Sequence, residues 1–172
     1  GFKLEIRKLW ADISAILKNK KQRIWICGHS LGGAMATLCA SRLEELEPTL
    51  YTYGSPRVGG REWRDGCDVE HYRFVNNNDI VTAVPLWLMG YRHHGTVRYI
   101  DYYGRIKRLT FGQKVKDQIL GRWKALTKFQ LFDGIYDHDI AGGYADKLQA
   151  LWFEGREKIR KRANVGHDRK NV

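Results

Sequence analysis

Residues 23–32 read RIWICGHSLG, and this stretch decides the fold. An apolar, β-prone run over 23–27 comes directly before the pentapeptide Gly28-His29-Ser30-Leu31-Gly32, and a helical pattern begins near Leu31. That order is typical of a nucleophile elbow, in which a serine stands on a tight turn between a strand and a helix. Glycines on both sides of the serine fit such a turn, because a Cβ there would crowd the backbone. The alternative is a Gly-rich turn with a purely structural role.

The size of the chain indicates one domain with its own core. It has 172 residues, of which 43% are hydrophobic. No apolar run approaches the roughly 20 residues that span a bilayer. Residues 1–20 lack the pattern of a signal peptide, but the chain begins with Gly1, so we expect the native N-terminus upstream. The compartment therefore stays open, with a cytoplasmic or peripheral membrane location favoured.

The chain is strongly basic, with a formal net charge of +11. Much of the charge lies in residues 18–23 and 156–162. We interpret these as a solvated helix face and a basic tail, so the predicted organisation is a domain over 1–155 and a tail over 156–172. Binding to an anionic membrane is the alternative. No nucleic acid partner is expected, because no aromatic residues interleave with the charges of the tail.

Three cysteines occur, at positions 27, 39 and 67, with no metal-ligand spacing. Cys27 falls on the predicted strand and Cys39 on the following helix, so both are expected to be small buried hydrophobic residues. We expect no disulfide framework, no metal and no cofactor.

Hydrophobic periodicity gives an alternation of strands and helices. Strands are predicted over 23–27, 50–53, 71–75 and 96–100, with a turn into 105–110. Helices are predicted over 2–18, 31–46, 113–130 and 139–161. This order favours an α/β fold with a mostly parallel sheet of about four strands flanked by helices.

A serine nucleophile needs a base, normally histidine, and a carboxylate that fixes the tautomer of the histidine. Five of the six histidines are poorly placed, because they lie inside the elbow, before or at the start of a strand, or in the tail: His29, His71, His93, His94 and His167. His138 lies in a loop after all the strands and is the predicted base. The alternative is a helix-capping loop in which Asp137 or Asp139 caps the helix and His138 is incidental.

The predicted acid is Asp79, which follows the third strand at its carboxyl end, where sites in parallel sheets gather. Asp101 follows the fourth strand and is the rival, whereas Asp65 and Asp68 lie in a polar loop before the third strand. Asp79 also fits a purely structural turn, since three asparagines precede it.

Several blocks over residues 24–150 together resemble the class 3 lipase family of α/β-hydrolases. They are Gly28-His29-Ser30-Leu31-Gly32-Gly33-Ala34, Tyr53-Gly54-Ser55-Pro56-Arg57-Val58-Gly59, Asn78-Asp79-Ile80-Val81-Thr82-Ala83-Val84-Pro85, Tyr91-Arg92-His93-His94-Gly95, and Asp137-His138 with Tyr144 downstream. The resemblance implies a triad of Ser30, Asp79 and His138. It also implies that the Leu31 backbone N–H is one oxyanion donor.

The resemblance further implies a serine ester hydrolase that acts on lipid esters of the acylglycerol type and contacts a lipid–water interface. Residues 84–89 would line the acyl groove or touch lipid; ordinary packing is the alternative. Members of the family carry about as much chain again before the elbow, so this chain corresponds to the C-terminal half of such an enzyme. A missing N-terminal segment or a partner chain would then supply the lid and the second oxyanion donor. Two other readings stay open, a truncated non-catalytic remnant and a basic module that binds anionic membranes.

Overall fold

The computed structural model describes residues 2–17, 22–76, 79–101, 104–107 and 138–168. The helix predicted over 113–130 lies outside these ranges, as do Asp137 and the end of the segment predicted as a strand over 105–110.

One five-stranded sheet forms the centre of the fold, and its spatial order is the chain order. The strands are β1 (Trp25–His29), β2 (Thr49–Tyr53), β3 (Glu70–Asn76), β4 (Thr96–Ile100) and β5 (Ile106–Lys107). The first four strands pair in parallel, and β5 runs antiparallel to β4. The predicted α/β class with four parallel strands is therefore confirmed.

The helices are α1 (Phe2–Leu17), α2 (Ser30–Arg42), α3 (Arg61–Gly66) and α4 (Asp146–Asp168). The helix predicted over 31–46 is divided, because α2 ends at Arg42 and Glu44–Leu46 forms a 3₁₀ turn. A π-helical turn over Ile140–Ala145 leads into α4, which continues without a break past residue 155. None of the described helices combines the length and the apolarity that crossing a bilayer requires.

The first strand is displaced by two residues from its prediction over 23–27. Gly28 and His29 have weak intrinsic preference for strands, but they pair in register with Thr52 and Tyr53 of β2. The parallel ladder therefore extends β1 up to the residue before Ser30.

Helix α2 separates two apolar clusters. On its α1 side, Ile6 packs with Leu38, Cys39 and Leu43. On its sheet side, a second set of small and branched side chains is buried: Ala36, Ala40, Leu50 and Val69. The helix that follows the elbow is thus fixed on both sides, which holds its first turn in place.

The prediction that Cys27 is buried is wrong, whereas Cys39 is buried as expected. Side chains alternate between the two faces of a strand. Ile26 packs against both apolar clusters, so Trp25 and Cys27 project from the opposite face, where both are exposed.

Candidate active site

Ser30 stands at the junction of β1 and α2 with a left-handed backbone, φ 54°. Such a conformation is uncommon for a residue with a side chain and is often found at functional sites. Gly28 is required here, because a Cβ at this position would lie 2.3 Å from the carbonyl oxygen of Gly32. The same expectation for Gly32 is wrong, since a Cβ there would meet nothing within 4 Å; the second crowded position is Gly33, whose Cβ would lie 2.9 Å from that of Ser55.

The structure brings Ser30, Asp79 and His138 together. His138 Nδ1 lies 3.0 Å from Asp79 Oδ1 and 3.1 Å from Oδ2, and its Nε2 lies 2.8 Å from Ser30 Oγ. A carboxylate only accepts hydrogen bonds, so the Nδ1 proton points to Asp79 and the Nε2 lone pair faces the Ser30 hydroxyl. This arrangement can remove a proton from the serine as its oxygen attacks.

Asp79 is held from several sides and has a fully buried side chain. The hydroxyl of the buried Tyr144 donates to Asp79 Oδ2 at 2.6 Å and accepts from the Asn76 backbone N–H at 3.0 Å. The Val81 N–H donates to Asp79 Oδ1 at 2.9 Å. Asp79 therefore caps a 3₁₀ turn and contacts His138 at the same time, so the turn role and the site role coexist in one residue.

The segment that carries His138 is tied to the end of β3 through Asn76. The Asn76 side chain donates from Nδ2 to the Gly143 carbonyl at 3.1 Å, and its Oδ1 accepts from Lys147 at 2.7 Å. These contacts fix the π-helical turn relative to Asp79. The Gly142-Gly143 pair belongs to this turn, where Asp139 Oδ2 accepts from the Gly142 N–H at 3.0 Å.

His29 contacts the site in a way that the sequence does not indicate. Its Nε2 lies 2.7 Å from the backbone carbonyl oxygen of His138, and the two rings lie 4.8 Å apart between centroids. The carbonyl can only accept, so His29 donates. The residue before the nucleophile thus supports the loop that carries the base, although 109 positions separate them.

Leu31 is the second residue of α2, so no carbonyl of its own helix can accept its backbone N–H. An N–H at this position is the kind of donor that stabilises a developing negative charge next to the nucleophile. Its assignment as an oxyanion donor stays a prediction.

Gly54, the first residue after β2, lies directly against the site with φ +59°. A Cβ there would lie 2.7 Å from Asp79 Oδ2 and 3.0 Å from His138 Nδ1. Only glycine leaves room for the contact between the acid and the base. Its position at the carboxyl end of a strand was the one sequence signal that could have pointed to it.

We expect Gly54→Ala to lower kcat for ester hydrolysis by about 100-fold, because the methyl group would push Asp79 and His138 apart. Gly90→Ala is the matched control. It also has a positive φ, +85°, but a Cβ there would meet nothing within 4 Å. Kinetics of both variants on a soluble ester separate the steric clash at Gly54 from the backbone strain of a positive φ. An equal loss of activity in both variants would refute the steric explanation.

The rival residues have other partners. Asp101 accepts from the backbone N–H of Arg105 at 2.9 Å and pairs with its side chain at 3.3 Å. His93 donates from Nε2 to the Thr82 carbonyl at 2.7 Å. Among the ranges that the structure describes, no cluster of His, Cys, Asp and Glu could hold a metal ion.

The buried His71 on β3 and the half-buried His94 before β4 form a chain of hydrogen bonds. His94 Nε2 donates to the Cys67 carbonyl at 2.9 Å, so neutral His94 offers a lone pair at Nδ1, 3.3 Å from His71 Nδ1. His71 Nε2 then accepts from the Thr52 hydroxyl at 2.8 Å. Burial, and after it the electrostatic influence of His94 and Arg73, lowers the pKa of His71 from 6.5 to about 3.

Stability is expected to fall as the pH drops from 6.5 towards 3. The unfolded chain protonates His71 near pH 6.5, whereas the folded chain keeps it neutral until about pH 3. Unfolding therefore takes up a proton in this window, which lowers the free energy of unfolding by about 1.4 kcal/mol for each pH unit of decrease. Urea unfolding between pH 4 and 8 measures the slope. His71→Gln should flatten it, and an unchanged slope in this variant would contradict the assignment.

An apolar loop, residues 80–89, follows Asp79. Six of its side chains are between 42% and 69% exposed: Ile80, Val84, Leu86, Trp87, Leu88 and Met89. Several of its backbone carbonyls, in contrast, accept hydrogen bonds from side chains outside the loop. Arg57 binds the carbonyls of Ala83 and Pro85, His93 binds that of Thr82, and Arg92 binds that of Trp87 at 2.6 Å. The backbone of the loop is thus fixed by hydrogen bonds, whereas its apolar side chains are exposed. In ordinary core packing these side chains would be buried.

Comparison with known proteins gives a family match over the half of the chain that contains Ser30 and Asp79. Residues 3–89 match the family model described as Lipase (class 3).

Two curated relatives and one solved structure illustrate the similarity. Over 76 residues, 41% of this chain and 12% of the relative, the chain is 42% identical to the toxin TseL of Vibrio cholerae serotype O1. Over 106 residues, 54% of this chain and 32% of the relative, it is 33% identical to secreted mono- and diacylglycerol lipase 1 of Fusarium solani. A triacylglycerol lipase structure described as having a serine protease triad as its catalytic centre is 30% identical, with a TM-score of 0.51, over 58% of this chain and 43% of that one. The chain thus spans less than half the length of each of these proteins.

Proposed function

The chain belongs to the class 3 lipase family, and on that basis we propose that it carries the triad of a serine hydrolase of lipid esters. Ser30 is the nucleophile, His138 the general base, and Asp79 the group that orients His138. The observation that carries this proposal is the pair of contacts made by one imidazole, 2.8 Å to Ser30 Oγ and 3.0 Å to Asp79 Oδ1.

In the proposed reaction, Ser30 Oγ attacks the acyl carbonyl carbon while its proton passes to His138 Nε2. Asp79 stabilises the imidazolium, and the Leu31 N–H donates to the oxyanion. Collapse of the tetrahedral intermediate breaks the ester bond, and His138 returns the proton to the departing alcohol. Water, deprotonated by His138, then attacks the acyl-enzyme and releases the fatty acid, which restores Ser30.

The apolar loop supports a lipid ester as the substrate. It begins next to Asp79 and presents six exposed apolar side chains on a backbone fixed by Arg57, His93 and Arg92. Exposed apolar patches of this kind mark sites of contact with apolar ligands or membranes. The names of the relatives, which include mono- and diacylglycerol lipase and triacylglycerol lipase, favour an acylglycerol.

The substrate class is tested by assaying the full-length protein on p-nitrophenyl butyrate and on dispersed dioleoylglycerol. Leu88→Ser should lower the rate on the lipid about tenfold, because it removes a largely exposed apolar contact, and leave the soluble ester unaffected. Leu46→Ser is the matched control, since Leu46 is exposed but lies on the 3₁₀ turn after α2. Equal rates of Leu88→Ser and the parent protein on both substrates would rule out the loop as a lipid contact.

A non-catalytic remnant is the second candidate, which the match to less than half the length of its relatives leaves open. In that case, the side chains of Ser30, Asp79 and His138 keep their arrangement while no ester is turned over. Turnover by the full-length protein that disappears on replacement of Ser30 would exclude this candidate. A complete lack of turnover on both substrates would favour it.

The third candidate is a basic module that binds anionic membranes, with residues 156–172 as the contacting tail. Its support is the net charge of +11. Vesicles that contain phosphatidylserine test it against neutral vesicles. Binding that persists unchanged after residues 156–162 have been neutralised would rule out the tail as the cause.

A further inference from the structure

A small cavity lies between α2, β3 and the segment before β4, apart from Ser30 and His138. Its polar lining consists of Thr37, Ser55, His71, Arg73, His93 and His94. The volume open to the centre of a water-sized particle is about 10 Å³, near the minimum for one bound particle. No carboxylate is present among the described residues that line it.

Arg73 is the buried charge in this cavity. The residue is 8% exposed, and within the described part of the chain no group accepts a hydrogen bond from its Nε. Burial, together with the charge of Arg57, lowers the pKa of Arg73 to about 10, so the guanidinium stays charged at neutral pH. A buried guanidinium without a counter-charge is strongly unfavourable.

Among the described residues, no carboxylate lines the cavity to supply that counter-charge. Arg57 is itself a cation, and burial lowers the pKa of both His71 and His93, which keeps these imidazoles neutral near pH 7. Among the described residues, Glu44 and Asp68 act to raise the pKa of His94, and Tyr144 acts to raise that of Arg73. The described lining of this cavity thus carries positive charge and no carboxylate.

We propose that the cavity binds a small monatomic anion of the halide class, with the Arg73 guanidinium as its principal ligand. The Ser55 hydroxyl lines the same cavity and would become a second donor by giving up its long bond, 3.2 Å, to the Pro56 carbonyl. The volume is too small for phosphate or a carboxylate. A water molecule would satisfy Nε–H but leave the charge uncompensated, which is why the anion is favoured.

Such an anion would stabilise the packing of the elements that carry the active-site residues, without taking part in the reaction. Arg73 lies on the strand that leads to Asp79, and Ser55 lies against Gly33 on α2, the helix that begins at Ser30. His93 holds the Thr82 carbonyl in the turn after Asp79. The anion would therefore join three parts of the chain at one point, and its binding does not depend on any hydrolase activity.

Crystals of the full-length protein grown or soaked in sodium bromide test the site directly. The expected result is an anomalous bromide peak within hydrogen-bonding distance of Arg73 Nε. Density of water size with no anomalous signal would overturn the proposal.

Thermal unfolding gives a second readout in solution. Replacing sodium gluconate by sodium chloride at constant ionic strength should raise Tm by about 2–4 °C, because gluconate is too large for the cavity. Arg73→Met should lose this dependence, whereas Arg98→Met, which removes a charge from β4, should keep it. If Arg73→Met does not fold, Ser55→Ala should weaken the dependence. A Tm of the parent protein that is insensitive to chloride would refute the proposal, as would a variant at Arg73 that keeps the full chloride effect.

Discussion

Ser30→Ala is expected to lower kcat for ester hydrolysis by about 10⁵- to 10⁶-fold. The reason is that the Ser30 oxygen is the atom that His138 Nε2 faces at 2.8 Å. KM is expected to change little, because the hydroxyl contributes to the reaction rather than to binding of the acyl chain. The measurement is kcat and KM of the full-length protein on p-nitrophenyl butyrate.

Ser41→Ala is the matched control for this variant. Ser41 also lies on α2, and its hydroxyl donates to the Leu38 carbonyl of the same helix at 3.0 Å. Losing this hydroxyl should leave kcat unchanged. If Ser30→Ala retains the activity of the parent protein, Ser30 is not the nucleophile.

Asp79→Asn is expected to lower kcat by about 10⁴-fold while the fold stays intact. The carboxylate holds the His138 proton on Nδ1, which keeps the Nε2 lone pair directed at Ser30. An amide can donate a hydrogen bond to Nδ1, and the proton would then move to Nε2, where it blocks transfer from the serine. The amide keeps an acceptor for one of two donors, the Tyr144 hydroxyl or the Val81 N–H, so a small loss of Tm is expected beside the much larger loss of activity.

Asp101→Asn is the control for the acid, because Asp101 follows β4 as Asp79 follows β3. Its carboxylate binds Arg105, so this substitution should leave kcat near that of the parent protein. A large loss of kcat in Asp101→Asn, with none in Asp79→Asn, would identify Asp101 instead of Asp79 as the residue that orients His138.

The site could be predicted from sequence to the extent that it follows from the topology. Residues after the carboxyl ends of parallel strands meet at one edge of the sheet. This rule favours Asp79 and its rival Asp101, and it disfavours His71, which lies near the start of β3 and hydrogen-bonds with Thr52 and His94. The rule does not place His138, which precedes the π-helical turn, but the structure brings it to Asp79. The functional role of these residues stays a proposal.

Other features depend on three-dimensional contacts between distant residues. The donation from His29 to the His138 carbonyl has no local pattern. The strand-end position of Gly54 points to the site but does not reveal that a Cβ would meet Asp79 and His138, because these contacts come from other elements. The exposure of Cys27 has the same cause. An apolar strand in the sequence does not tell which of its two faces packs against the helices. Gly33 rather than Gly32 meets Ser55, since the geometry of the helix after the turn decides which glycine is crowded.

Labelling with a fluorophosphonate probe tests the triad most directly, because the probe reacts only with a serine that has been activated by a base. We predict that the full-length protein takes up one equivalent of probe on Ser30, located by mass spectrometry of the peptide that contains it, and that Asp79→Asn reacts far more slowly. A folded protein that remains unlabelled at Ser30 while it hydrolyses esters would contradict the assignment of Ser30, Asp79 and His138 as its catalytic triad.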